Sequence, residues 1–389
     1  FWTNTNIPSS TSDGATVSLD LPEWKRERFY LFGEVDQISD YLQKINLTGF
    51  TQLVQKEFSN QIDVTMVQTP MMTMERSMLL DTYNKQRSYG ATFQTDWTFG
   101  DSHYVVAGVD FLRDKLDATD DREAYMIMTN MAGTTVISDA SGFGNCRYEG
   151  HQDTWAVFVR DEWSFAQDWT ATIGLRQTWV RSSLDDTDNP DLATESSSDS
   201  HMVGSIGLVY AGFEDWRLRA QYAQGYRYPS LQQLYIGTVH GSSNRTYPNP
   251  DLNPETSHNV ELGARYNADG LNADFAVYYN WADEYIFTPQ KTINGASARL
   301  YENGNSAETF GAELELSYKF ESWGLTPYLS GTFMHREIDR GSNGGKTTKT
   351  GHPNGYGRAG LRFERPLTPI QSFQAPALAR MAPPPAQKR

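Results

Sequence analysis

The sequence predicts an all-β protein, an antiparallel transmembrane β-barrel, and three observations predict it. Apolar residues recur at every second position over stretches of about 10–14 residues, where soluble strands usually run about 5–6. The connections between these stretches alternate between short turns and long polar loops. Aromatic residues are abundant, at 13% of the chain, yet no run of about 18 apolar residues occurs, which excludes a transmembrane helix. A barrel strand shows only every second residue to lipid, so a negative mean hydropathy is compatible with a membrane protein.

Taken in order, the first strand is KRERFYLFGEVDQ from Lys25, with an untidy turn near 38–43. Trp169, Ala171, Ile173 and Leu175 then alternate with Thr170, Thr172 and Arg176. Trp216, Leu218, Ala220 and Tyr222 alternate with Arg217, Arg219 and Gln221. Leu271, Ala273, Phe275, Val277 and Tyr279 oppose Asn272, Asp274, Tyr278 and Asn280. Phe310, Ala312, Leu314, Leu316, Tyr318 and Phe320 alternate with Gly311, Glu313, Glu315, Ser317 and Lys319. A helix would scatter those carboxylates round its surface, whereas a strand gathers Glu313, Glu315 and Lys319 on one polar face.

Short turns are expected at 99–102, 164–167, 212–215, 267–270 and 321–324. Long polar loops are expected around 59–87, 114–151, 182–199, 227–255, 287–307 and 337–354. Short periplasmic turns opposite longer extracellular loops mark outer-membrane barrels, and a sandwich has no reason to place its long loops at one end. Trp97, Trp163, Trp169, Trp179, Tyr266, Trp281, Phe320 and Trp323 lie near strand ends, as interfacial girdles require. The competing reading makes them core aromatics of a soluble protein. About thirteen strands fit between Lys25 and Glu364, and an odd count does not close a usual bacterial barrel. The expectation is therefore a partial barrel over residues 1–365, with strands missing on both sides. The start at Phe1 without a leader reads as truncation. The Pro/Ala-rich stretch 366–389 has no alternation and is expected to be disordered or not native.

A net charge of −15 argues against nucleic acid as a partner. The single cysteine, Cys146, forbids an internal disulfide. His103, His151, His201, His258, His335 and His352 show no metal-ligand spacing. His335 and His352 flank one long loop and would at most add to an extracellular ligand site. The acidic runs at Asp120-Asp121 and Asp185-Asp186-Thr187-Asp188 read as solvated loop charge rather than calcium ligands. GSNGGKT at 341–347 is one residue short of a phosphate loop and no helix pattern follows it.

The most informative stretch is 226–266, YRYPSLQQLYIGTVHGSSNRTYPNPDLNPETSHNVELGARY, a polar and aromatic loop between two alternating strands. Pro229, Pro250 and Pro254 rigidify strand exits and turns there. YRYPSLQQLY at 226–235 resembles the FRAP-containing box of TonB-dependent outer-membrane receptors. NPDLNPETSHNVELGARY at 249–266 resembles their NPNL-type box and following strand. FAVYYNWADEYIF, YENGNSAETFGAELELSYKF and the segment 21–53 continue the likeness, which covers most of the chain to about residue 365. The signature positions are Tyr226, Arg227, Pro229, Asn249, Pro250, Asp251 and Leu252. The chain departs from the pattern where YRYP replaces FRAP and NPDL replaces NPNL.

This resemblance implies part of a 22-stranded barrel of the bacterial outer membrane, filled in the whole protein by a plug and energised by TonB, with the TonB contact region and plug absent here. Lipid and lipopolysaccharide are the surrounding partners it implies. It also implies heme as a transported ligand rather than a permanently bound cofactor. In the heme and hemoprotein receptors of this family a histidine lies between the two boxes, and His240 holds that position here. Imidazole and phenolate are both axial ligands of heme iron. His240 would meet the iron, with Tyr228, Tyr235 and Tyr247 stacking on porphyrin or binding a partner protein. The bland reading makes His240 an ordinary loop histidine and the prolines rim fixtures. A ferric-siderophore receptor of the same fold is the alternative. An outer-membrane barrel enzyme is a remote one, since no nucleophile is marked near Ser230 and His240; the chain is not expected to be an enzyme.

Overall fold

The computed structural model describes residues 5–364 apart from 13–14, 70–71, 131–132, 139–145, 191, 241–243, 294–295 and 342–344, together with 373–377. The chain begins with β1 (Thr5–Ser12), β2 (Ala15–Asp36), β3 (Leu42–Thr69), β4 (Met72–Phe99) and β5 (His103–Asn130). A short β6 (Gly133–Ser138) precedes β7 (Cys146–Ala166), β8 (Trp169–Thr187), β9 (Ser196–Tyr210) and β10 (Trp216–Arg227). The next loop holds one turn of π-helix over Gln232–Ile236, then β11 (Thr238–His240) and β12 (Asn244–Tyr247). β13 (Glu255–Ala268) and β14 (Leu271–Asp283) follow. The loop after them carries β15 (Ile286–Phe287), β16 (Gln290–Ile293), β17 (Ala296–Leu300) and β18 (Glu302–Asn303). The chain ends on β19 (Ser306–Tyr318), β20 (Leu325–Asp339), β21 (Lys346–Thr347), β22 (Gly355–Phe363) and β23 (Phe373–Ala377).

Seventeen of these strands make one sheet. Each long strand pairs antiparallel with the next long strand in the chain: β5 with β7, β10 with β13, β14 with β19, β20 with β22. Between Lys25 and Glu364 the long strands from β2 to β22 number thirteen among the described residues, as the alternation predicts. β23 pairs with β22 inside the Pro/Ala-rich stretch, and the rest of that stretch lies outside the described residues.

Alternation sorts the side chains to two faces. On the outer face, Val157, Val159, Ile173, Leu175, Ile206, Leu262, Phe275 and Phe333 are exposed, a pattern suited to lipid tails rather than water. On the lumen face, Arg219 donates from Nε to Glu261 Oε1 at 3.0 Å and from Nη1 to Asp274 Oδ1 at 2.9 Å. Asp274 also accepts from Arg265 Nε at 2.7 Å. These pairs neutralise charge inside the wall without presenting it to lipid. At the short-turn end, Asp269 and Gly270 take φ +51° and +83° between the paired residues Ala268 and Leu271. A two-residue Asp-Gly turn with both φ positive matches the right-handed twist of a hairpin.

The predicted loops at 59–87 and 114–151 are corrected by the structure. β3, β4 and β5 each run 28 residues, and the pairing continues without a break from the membrane band to the hairpin tips. Outside the band both faces meet water, so the sequence there carries polar residues on either side and the period of two disappears. The backbone ladder needs no such period and persists. Loop 182–199 shortens likewise, since β8 reaches Thr187 and β9 starts at Ser196.

Candidate functional site

The signature stretch leaves the wall at Arg227 and returns at Glu255, and those two side chains close its neck. Arg227 Nε donates to Glu255 Oε2 at 2.5 Å and Nη2 to Oε1 at 2.9 Å. Glu255 Oε1 also accepts the Ile286 backbone N–H at 2.7 Å, which ties in the neighbouring loop. A planar guanidinium meeting a carboxylate twice fixes the angle between strands as well as their distance.

From this neck the chain folds inward. Pro229 is fully buried, and the π-helical turn sets Leu234 and Tyr235 into the inner wall of β5, β7 and β8. Their neighbours are Ala118, Tyr148, Leu184, Leu231, Leu252 and Ile286. This cluster is the principal apolar core of the described residues, and it sits across the lumen mouth rather than inside a wall. Gly237 ends the turn at φ +72°, with its N–H donated to Gln232 O at 2.7 Å. A Cβ on Gly237 would stand 2.3 Å from Thr246 O, so only glycine fits.

β11 then pairs with β12, and β12 runs parallel to β17 of the next loop. Asn249 holds the return path: its N–H donates to Gln233 O at 2.9 Å, its Nδ2 donates to Tyr301 O at 3.0 Å, and its Oδ1 accepts Asp251 N–H at 3.0 Å. Asn303 donates from Nδ2 to Asn253 O at 3.0 Å and to Glu284 O at 2.7 Å. Side-chain amides at these turns satisfy backbone groups that no strand partner reaches.

The predicted site residues fall into separate places. Tyr226 donates its hydroxyl to Asp199 Oδ2 at 2.8 Å and stacks on His201 with ring centroids 5.0 Å apart. Tyr228 donates to Ser197 Oγ at 2.9 Å, and burial pushes its hydroxyl pKa up. Tyr235 is 1% exposed, and burial pushes its hydroxyl up to about 12. Tyr228 and Tyr235 thus share one packed cluster. Tyr247 is half-buried on β12, its carbonyl accepting Tyr301 N–H at 3.2 Å. Pro250 and Asp251 stand at the turn and Leu252 is buried in the cluster. His240 ends β11 with its backbone paired to Asn244; its side chain lies outside the described residues. His335 packs at a tilt against Phe310, its partner on the lipid-facing side of β19, with centroids 5.1 Å apart, which removes it from the vestibule.

Beneath the turn lies a cavity of about 300 Å³. Phe58, Asn84, Ala118 and Tyr148 line its wall, and Ile236 and Gly237 line its roof. That is the lower end of the size range for small-molecule sites. Gly237 stands three residues before His240. Sequence reasoning missed the inward fold of the turn. The signal for it was the apolar set Leu231, Leu234, Tyr235 and Ile236 inside an otherwise polar loop.

A family model described as "TonB dependent receptor-like, beta-barrel" matches residues 2–379. The iron-regulated outer membrane virulence protein of Vibrio cholerae is 30% identical over 205 residues, 49% of this chain and 29% of that protein. The heme/hemopexin utilization protein C of Haemophilus influenzae is 25% identical over 274 residues, 61% of this chain and 33% of that protein. Among solved structures, the copper transporter OprC superposes with a TM-score of 0.64 at 18% identity, over 92% of this chain and 55% of that one. The chain thus spans about a third or less of the length of these curated relatives.

Proposed function

The chain belongs to the TonB-dependent receptor family, and from that premise we propose that it is part of an outer-membrane receptor for heme, free or carried by a hemoprotein. An iron-regulated outer membrane virulence protein is among the relatives this chain resembles, which supports an iron-related substrate. Uptake in the whole protein would draw its energy from TonB.

The observation that carries the heme reading is the position of His240. It ends a strand held by β12, immediately beyond a turn that roofs a lumen cavity. A neutral imidazole there would take heme iron axially, as the iron's fifth or sixth ligand. The β11–β12 hairpin would present it, and the cavity under the turn lies on the way inward. The Haemophilus relative, named for heme and hemopexin utilization, supports the same ligand class. Tyr228 and Tyr235 would act through the packing of the turn, since both are engaged in its core.

Growth tests the reading. An iron-starved strain lacking other heme receptors, supplied with the full-length receptor, should grow on hemin as its iron source. His240→Ala should slow that growth. Growth on a ferric siderophore with none on hemin would sink the heme reading and select the siderophore receptor.

A further inference from the structure

The tips of the β3–β4–β5 wall carry a feature the heme reading does not use. Of the 11 methionines in the chain, all but Met202, Met334 and Met381 fall between residues 66 and 131. The register concentrates them. Met66 pairs with Met74, and Met74 pairs with Met128. Met126 stands opposite Arg76, on the diagonal from Met74, and Met78 follows one step further down β4. Met74, Met126 and Met128 are half-buried and Met78 is buried.

These positions lie on one face. β4 and β5 pair without a bulge, and the β3–β4 register shifts only at its two ends. Even-numbered positions of β4 and β5 therefore share the side of Asn84 and Ala118, which line the cavity beneath the π-helical turn. Three rows of three register partners make up the tip: Met66, Met74 and Met128; then Val64, Arg76 and Met126; then Ile62, Met78 and Ala124. The grid holds no carboxylate and no imidazole.

Directly opposed Cβ atoms in a sheet stand about 4.5–5.5 Å apart, and diagonal ones within about 7–8 Å. A methionine has three rotatable bonds, so neighbouring thioethers at such spacings can converge on one point. Neutral thioethers select soft ions, and Cu(I) above all, whereas magnesium, calcium and manganese require oxygen ligands that these nine side chains do not offer. Arg76 is the one cation among these nine positions, and it disfavours a divalent ion twice as strongly as a monovalent one.

We propose that Met74, Met126 and Met128 form a Cu(I) site on the lumen-side face of the hairpin tips. An apolar packing face would serve equally well with leucines, and that difference makes the test. The full-length receptor in detergent micelles is titrated with Cu(I) under a reductant, against a chromophoric Cu(I) chelator. Beside it run the triple variant Met74→Leu/Met126→Leu/Met128→Leu and the control Met202→Leu, on the outer face. Leucine keeps the volume and removes the sulfur. The wild type and the control should retain Cu(I) against the chelator. The triple variant should bind at least about tenfold more weakly, since even an outer-shell partner is worth about 10–100-fold in metal affinity. No retention by the wild type, or equal affinity in wild type and triple variant, overturns the proposal. If the triple variant does not fold, Met74→Leu alone is titrated, and an unchanged affinity overturns it. Hemin binding on the same samples should not change, so this site and the His240 reading fail or stand separately.

Discussion

Tyr235 and His240 are five residues apart, yet they belong to different elements. The Tyr235 ring is sealed into the core of the turn, while His240 ends the strand beyond it. Burial raises the Tyr235 hydroxyl from its ordinary value near 10 to about 12, and raises Tyr228 as well. A folded pKa above the unfolded one means the contribution is complete below about pH 10 and is lost as pH climbs through about 12. The turn is therefore expected to loosen across that alkaline window, seen as a delayed rise in tyrosinate absorbance. Tyr235→Phe should remove the Tyr235 component and leave that of Tyr228. A second residue-scale prediction concerns Gly270. Its φ of +83° and the Lys319 carbonyl, 2.7 Å from where a Cβ would sit, make Gly270→Ala destabilising. The expected loss is about 1 kcal/mol or more, read from denaturant unfolding of the refolded barrel. The Asp-Gly pair at this turn was legible in the sequence, because the dipeptide itself demands positive φ. The burial of Tyr235 was not, because nothing in LQQLYIG says which wall the turn will meet.

At the scale of elements, β7 shows how the lipid band is bounded. Trp155, Val157 and Val159 face outward between two polar positions. On one side Arg113 Nη2 meets Asp153 Oδ2 at 2.5 Å, and on the other His103 Nδ1 meets Asp161 Oδ2 at 2.8 Å. Val157→Arg should cost about 2–4 kcal/mol of folding free energy in lipid vesicles, and the lumen-facing Thr172→Arg much less. Just beyond the Arg113 pair, Arg87 lies directly opposite Lys115, with Lys85 beside them. Lys85 stands opposite Asp117, whereas among the described residues no ion pair joins Arg87 or Lys115 to a carboxylate. Like charges opposed across a ladder repel unless an anion covers them, and lipopolysaccharide phosphates are the expected anion at that height. Replacing Arg87 and Lys115 by Gln should lower lipopolysaccharide retained on the purified receptor, and an unchanged amount would contradict this. Within the signature stretch, Leu234 is 0% exposed, so Leu234→Ala should weaken docking of the turn by about 2–5 kcal/mol. Hydrogen exchange would show faster opening over the stretch between Arg227 and Glu255, with the β13–β14 ladder unchanged. The membrane-spanning parts of these strands were readable from alternation. Their extensions were not, because the pattern that reveals a strand is imposed by lipid on one side only.

For the whole molecule, antiparallel succession, turn positions and the number of long strands followed from the period of two and from where Gly, Asp and Asn interrupt it. The family followed from the boxes at 226–235 and 249–266, and the matched family bears that out. Ligand identity has a thinner base. The boxes themselves are largely occupied in holding the rim together, through Arg227–Glu255 and the Asn249 and Asn303 bridges. Such contacts suit a receptor for any cargo, so residues within the boxes say little about which one is taken. The discriminating position is His240. The most direct measurement is a hemin titration of the full-length receptor in detergent, followed at the Soret band, with His240→Ala beside it. Saturable binding that the substitution weakens by about tenfold or more is expected, as loss of an axial ligand should produce. Saturable binding that is indifferent to His240, or no saturable binding, would contradict it.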